Sequence, residues 1–148
     1  MNQQDQPPPL VYYNSENEYY EYFCRVYCDS SNPIDTFDGI RVKFYPEQFY
    51  HAFYKSTSRI MHDKSIFSSE RAKRINWIKW ALKYRNADLF KGWNRKRRLI
   101  NPCRRICVVA VDYIVIIQVE AGLQRAPFIT AFIAAPETLR QIRSKPRW

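Results

Sequence analysis

Two histidines, His51 and His62, are the side chains whose ordinary pKa, about 6.5, suits proton transfer near neutral pH. Other kinds of site are poorly supplied. The chain has three scattered glycines, which excludes the glycine-rich loops that cradle nucleotide phosphates. Neither an HExxH nor a GxSxG pattern occurs, and carboxylates do not cluster in the basic half, which argues against a two-metal site. What remains is His51, His62, many Arg and Lys, Gln118, Tyr113 and Thr130. That set suits attack of a ribose 2′-OH on its own phosphate, a reaction that needs no metal. One group accepts the hydroxyl proton, cations stabilise the crowded phosphorane, and a proton returns to the leaving oxygen. Arg or Lys holds the phosphate charge. A hydroxyl or amide on a neighbouring strand orients the nucleophile.

Each candidate also has a plainer reading. His51 follows Tyr50 and lies off the Phe49/Phe53 line of its segment, so it reads equally as a surface histidine or one bonded at the core rim. His62 lies in a polar loop, where a solvent-exposed side chain is the simpler reading. In the run 128–132, period two puts Phe128, Thr130 and Phe132 on one face, with Ile129, Ala131 and Ile133 on the other. The aliphatic set predicts the core, leaving Thr130 on the opposite, working face. Threonine is also common in strands through propensity alone. Gln118 interrupts an apolar series, and a glutamine paired to backbone is its plainer reading.

The charge is concentrated. The chain carries 24 Lys+Arg against 14 Asp+Glu, a formal +10. Residues 71–105 alone hold thirteen Lys/Arg and one acid, Asp88, a local +12, whereas residues 1–50 hold eight acids and three bases. Trp77, Trp80, Tyr84, Phe90 and Trp93 are interleaved with the basic block. Aromatics among clustered cations are the footprint of a polyanion-binding face, and a merely solvated helix face is the alternative. Arg71, Lys73, Arg95, Lys96, Arg97, Arg98 and Arg104 are its candidate phosphate contacts, with Gln118 beside them. The cysteines form two pairs of equal spacing, Cys24/Cys28 and Cys103/Cys107. A three-residue gap and placement in a helix and a strand argue against zinc, so no metal and no cofactor is expected.

Length and composition predict one domain. At 148 residues with 46% hydrophobic and 16% aromatic content, one core suffices. Residues 1–14, with Pro7, Pro8 and Pro9, predict a disordered leader, and residues 15–148 a single domain with its core at 39–135. No apolar run approaches a membrane span, and the start of the chain lacks a secretory pattern, so a cytoplasmic protein without a membrane partner is expected. Ser15 and Glu18 form a capping box opening a helix over 16–28. A short strand follows at 40–44, then a helix over 46–57 opened by Pro46. Ser68 and Ser69 cap a third helix, ended by Asn86 and Asp88. Residues 91–93 predict a turn. Runs at 106–111 and 114–119 predict a tight hairpin, and 128–134 a last strand. The tail predicts a short helical stretch at 137–142. The order predicts an α+β fold, with N-terminal helices on one face of a four-stranded, mainly antiparallel sheet and the other face open.

One family shares these features. Residues 44–134 resemble the barnase–EndoU–colicin E5/D–RelE superfamily of metal-independent RNases, closest to its phage and mobile-element branch. The carrying residues are the run 67–75 (Phe-Ser-Ser-Glu-Arg-Ala-Lys-Arg-Ile), Trp77 and Ile78, and Gly92-Trp93 with basic residues after it. Arg104 and Arg105 entering the hairpin, Tyr113 with the Gln118 strand, and the Phe-Ile-Thr-Ala-Phe run at 128–132 complete the set. The β-α-α-β-β-β order from residue 40 is also similar to the RelE arrangement. The resemblance implies an endoribonuclease acting as a toxin or effector, with an antitoxin or immunity protein binding its basic face. It nominates His51, Arg71 or Arg74, Arg105 and Thr130 as catalytic. The same basic face equally serves an RNA- or DNA-binding module without catalysis, and the charge asymmetry a small protein-interaction or inhibitor protein.

Overall fold

The computed structural model describes residues 5–57, 65–91, 93–94, 99–100, 105–119 and 125–148. In chain order its elements are α1 (Glu16–Val26), β1 (Ile34–Asp35), β2 (Arg41–Lys43), α2 (Gln48–Phe53), β3 (Tyr54–Lys55) and β4 (Ile66–Phe67). Then come α3 (Ser69–Ala72), α4 (Ile75–Lys83), β5 (Asp88–Lys91), β6 (Trp93–Asn94) and β7 (Leu99–Ile100). The chain finishes with β8 (Arg105–Ala110), β9 (Tyr113–Gln118), β10 (Arg125–Ile133) and α5 (Pro136–Arg143). The fold is α+β.

The expected four-stranded sheet is corrected to six strands in the order β1-β2-β10-β9-β8-β5. The two extra strands are short and sit at the edges. β1 pairs with β2 through Ile34 and Val42, and β5 pairs with β8 along its whole length. Residues 88–91 read as a helix end and turn because a strand this short draws its stability from its neighbour rather than from local pattern. The sheet is mixed, since β2 runs parallel to β10 and every other pairing within it is antiparallel. Two small hairpins, β3-β4 and β6-β7, stand apart.

Helices α1, α2, α3 and α4 cover one face. Phe23, Phe49, Phe53, Phe44 and Phe128 meet there, with Phe44 stacked on Phe128 at 4.9 Å between ring centroids. The opposite face is not wholly open, a second correction. Leu139 and Ile142 of α5 pack on Phe90, Cys107, Val109, Ile114 and Ala134. Residues 106–110 of β8 are accordingly buried without alternation, as a strand covered on both sides must be.

Three further departures place the site. The third helix breaks between Ala72 and Ile75, with Arg74 at φ −96°, ψ 21°, so Lys73 and Arg74 form a corner. The second helix spans only Gln48–Phe53, after which Tyr54 turns extended and pairs with Phe67. The leader, expected to be disordered over 1–14, is held from Asp5 onward. Trp77 Nε1 donates to Pro8 O at 2.8 Å, Val11 N to Lys73 O at 2.8 Å, and Tyr19 Oη to Val11 O at 2.8 Å. Proline-rich backbone keeps its carbonyls free to accept such bonds.

Candidate nucleic-acid interface

β10 is the spine of the site. It pairs with β2 only through residues 125–127, so from Phe128 onward the described residues add no strand on that side. Helices α2 and α3 stand against it there. Within β10 the register to β9 slips between Phe128, opposite Ile117, and Thr130, opposite Ile116. This bulge, with Ile129 as the extra residue, breaks the period-two expectation. Phe128 belongs to the helix-side core, as does Ala131, while Thr130 and Phe132 turn to the α5 side. A bulge re-aims side chains in this way and sits where pairing ends. Thr130 therefore faces away from the helix layer, and Phe128 does not accompany it.

Arg105 and Gln118 are direct cross-strand partners on that same α5-side face. One rung further in, Cys107, Ile116 and Thr130 form a row across β8, β9 and β10. The structure thus places Arg105, Gln118 and Thr130 on one sheet face, with Arg105 and Gln118 paired and Thr130 one rung further in on β10. The Thr130 residue is half-buried, but its Oγ1 is shielded and has no hydrogen-bond partner. A buried hydroxyl without a partner costs about 1–3 kcal/mol, so a valine there would serve the fold better.

Arg71 links this face to the helix layer. Its guanidinium stands 5.9 Å from the centre of the Phe132 ring, and no carboxylate pairs with it among the described residues. Burial lowers its pKa from the ordinary value, and the neighbouring Tyr113 opposes that shift. Its position is fixed by the α3 cap, in which Ser68 Oγ accepts from Arg71 N at 3.3 Å. Tyr113, fully buried, is pushed well above the ordinary tyrosine pKa by burial, against the pull of Arg74 and Arg71. Trp77 meets Tyr113 edge-on at 5.5 Å. Arg74 stacks on Trp77 at 5.2 Å and donates to Glu70 O at 2.5 Å, leaving its buried Nε without a partner. Lys73 pairs with Glu70 at 2.9 Å, and its ammonium is the chief cause that holds the Glu70 carboxyl below the usual range.

The remaining candidates lie elsewhere. His51 is exposed on α2, whose buried residues Phe49, Ala52 and Phe53 join the helix-side core. It makes no hydrogen bond to Thr130 Oγ1. Arg74 is on the helix side, not beside Arg105. Arg95, Lys96, Arg97, Arg98, Arg104 and His62 lie outside the described residues. Cys24 and Cys28 belong to the α1 end, where burial pushes the Cys28 thiol up to about 12. Cys107 faces α5, and burial raises its thiol to about 11. Among the described residues no three His, Cys, Asp or Glu side chains gather as metal ligands. Three cations escaped the sequence reading. Arg41, Lys43 and Arg125 share the Thr130 face, and the alternation of Arg41 and Lys43 with Ile40, Val42 and Phe44 was the signal for two of them.

No family model matches the chain, and no curated protein or solved structure matches it either. No helix among the described residues is long and apolar enough to cross a membrane.

Proposed function

We propose that this chain binds single-stranded RNA along β10 and cleaves it by metal-independent transesterification. The observation that carries the reading is the pairing of two unsatisfied groups on one edge. Arg71 is a half-buried guanidinium without a carboxylate, and Thr130 Oγ1 is a shielded hydroxyl without a partner, two residues from the Phe132 ring that Arg71 approaches. A phosphate satisfies Arg71, and its neighbouring ribose hydroxyl satisfies Thr130 Oγ1 once that side chain turns from its shielded rotamer toward the edge. The 2′-oxygen gives its proton to solvent water as it bonds to phosphorus, the P–O5′ bond breaks, and water returns a proton to the leaving oxygen, giving a 2′,3′-cyclic phosphate and a free 5′-OH. Arg71 holds the charge on the phosphorane oxygens, as a fixed donor does best in a dry site, and Arg105, two strands away on β8, takes a flanking phosphate. Thr130 accepts from the attacking hydroxyl, and Gln118, beside Arg105, orients the chain. The resemblance to metal-independent RNases extends this to a toxin or effector whose basic face a protein inhibitor covers.

A second reading, RNA binding without cleavage, is favoured by one observation. Among the described residues no histidine shares the Thr130 face, and the carboxylates there are engaged, Asp35 by Arg41 and Asp88 by Arg143 and Arg147. Binding without cleavage needs no proton acceptor on that face.

The test uses an RNA oligonucleotide and its 2′-O-methyl counterpart in excess chelator. Cleavage of the first alone, with both bound equally, is expected. Arg71→Ala is expected to slow cleavage about 100-fold, the loss of one charge-stabilising group, and Arg105→Ala to weaken binding of both oligonucleotides alike. Tight binding of both with no cleavage selects the second reading. Absence of binding at moderate salt removes both.

A further inference from the structure

The loop after α1, the strand β2 and the start of β10 enclose a cavity of about 360 Å³. That is within the range of sites that hold small ligands, about 300–1,000 Å³. Its lining includes Arg41, Lys43 and Arg125 with Tyr45, Asp29 and Asn32. The parallel register explains how the cations meet. Arg125 is the partner of Arg41 and Pro127 the partner of Lys43, while Ala126 and Val42 between them turn into the helix-side core. Strands lie about 4.8 Å apart, so three cations occupy neighbouring rungs of one face.

The acids nearby are already engaged. Arg41 is held by Asp35, which fixes its fork. Asp29 turns to its own loop, accepting from Ser31 N at 2.9 Å and Ser31 Oγ at 2.7 Å, and these bonds keep its carboxyl below the ordinary pKa. Lys43 has no ion pair among the described residues. Tyr45 is 45% exposed, a ring face available for stacking.

We propose that this cavity is a flanking-nucleotide subsite for single-stranded RNA, with a phosphate on Arg41, Lys43 and Arg125 and its base against Tyr45. The proposal rests on the RNA reading above. Arginine forks and a lysine suit phosphate oxygens, and stacking on a tyrosine tolerates any base. Pro127, opposite Lys43, precedes Thr130 by three residues on the same face, roughly 10 Å at about 3.3 Å per residue. The cavity reaches round β2 to the helix-side Val42 and Phe44, and one extended strand that passes over its cation side engages both the cavity and the Thr130 edge.

The experiment measures binding of a 2′-O-methyl dodecanucleotide, which cannot transesterify, across a salt series. The double variant Lys43→Ala/Arg125→Ala is expected to bind about tenfold more weakly. Its log–log salt slope should fall by about 1.4, near 0.7 for each lost phosphate contact to a single strand. Tyr45→Ala is expected to weaken binding about tenfold with the slope unchanged. The charge-matched control Arg25→Ala/Arg140→Ala, on α1 and α5, is expected to stay within about twofold. Equal losses in the two double variants, or no loss in the first, overturn the subsite while leaving RNA binding intact. A parent protein that binds no oligonucleotide overturns the RNA reading and the subsite together.

Discussion

Thr130 is where stability and function separate most cleanly. Valine has nearly its shape and lacks the unpaired hydroxyl, so Thr130→Val is expected to leave the folded state as stable as the parent or about 1 kcal/mol more stable in urea titration. RNA cleavage is expected to fall in the same variant, which an unfolding defect then cannot explain. Val111 offers a purely structural contrast. It is the first residue of the two-residue β8–β9 turn, 63% exposed, with φ at +62°. That region is strained for a β-branched side chain, and glycine enters it freely. Val111→Gly is expected to raise stability by about 1 kcal/mol, read as a higher melting temperature with RNA binding unchanged. Thr130 was legible in the sequence as the polar residue of an apolar strand. Its separation from Phe128 was not, because a bulge is set by pairing with β9 and leaves no mark in the run 128–132 itself.

The elements that local chemistry specifies were legible at once. Ser15 caps α1 by accepting from Glu18 N at 3.3 Å, and the hairpin of β8 and β9 follows its two apolar runs. The elements that need a distant partner were not. β5 exists because β8 pairs with it, and β1 because β2 does. The break after α3 was hidden for a related reason. Ala72 and Ile75 are both buried, so the apolar stripe continues through the corner while the helix does not. That corner is what aims Arg71 at Phe132 rather than along a helix flank. Ser68 holds it from both sides, capping α3 and donating its N–H to Phe53 O at 2.7 Å. Ser68→Ala is expected to cost about 1 kcal/mol, the usual worth of such a cap, measured by thermal or chemical unfolding.

At the scale of the whole molecule, two buried phenols tie stability to alkaline pH. Tyr27, bonded to Ile75 O and Lys79 N, and Tyr113 both have their ionisation pushed up by burial. They stay protonated in the folded chain, whereas in the unfolded chain they ionise near pH 10. Their contribution is complete below that pH. Above it the unfolded state loses protons that the folded state keeps, so stability falls by about 1.4 kcal/mol per pH unit for each phenol. Urea titrations from pH 9 to 11.5 should show this decline, and Tyr27→Phe should remove one phenol's share of the slope. The same scale unites the charge and the sheet. The basic block that stood out in the sequence divides in the folded chain. Arg71 and Arg74 go to the helix side, Arg105 to the α5 side, and Arg41, Lys43 and Arg125 join the latter from outside the block. Only the topology, with β2 parallel to β10, puts Arg105 and these last three on one face. The most direct test of RNA cleavage along β10 is to map the ends of RNA incubated with the parent and with Thr130→Val in excess chelator. The account predicts fragments ending in 2′,3′-cyclic phosphate from the parent, and at least about 100-fold fewer from the variant. Fragments in equal amount from both, or ends carrying a 3′-OH, would contradict it.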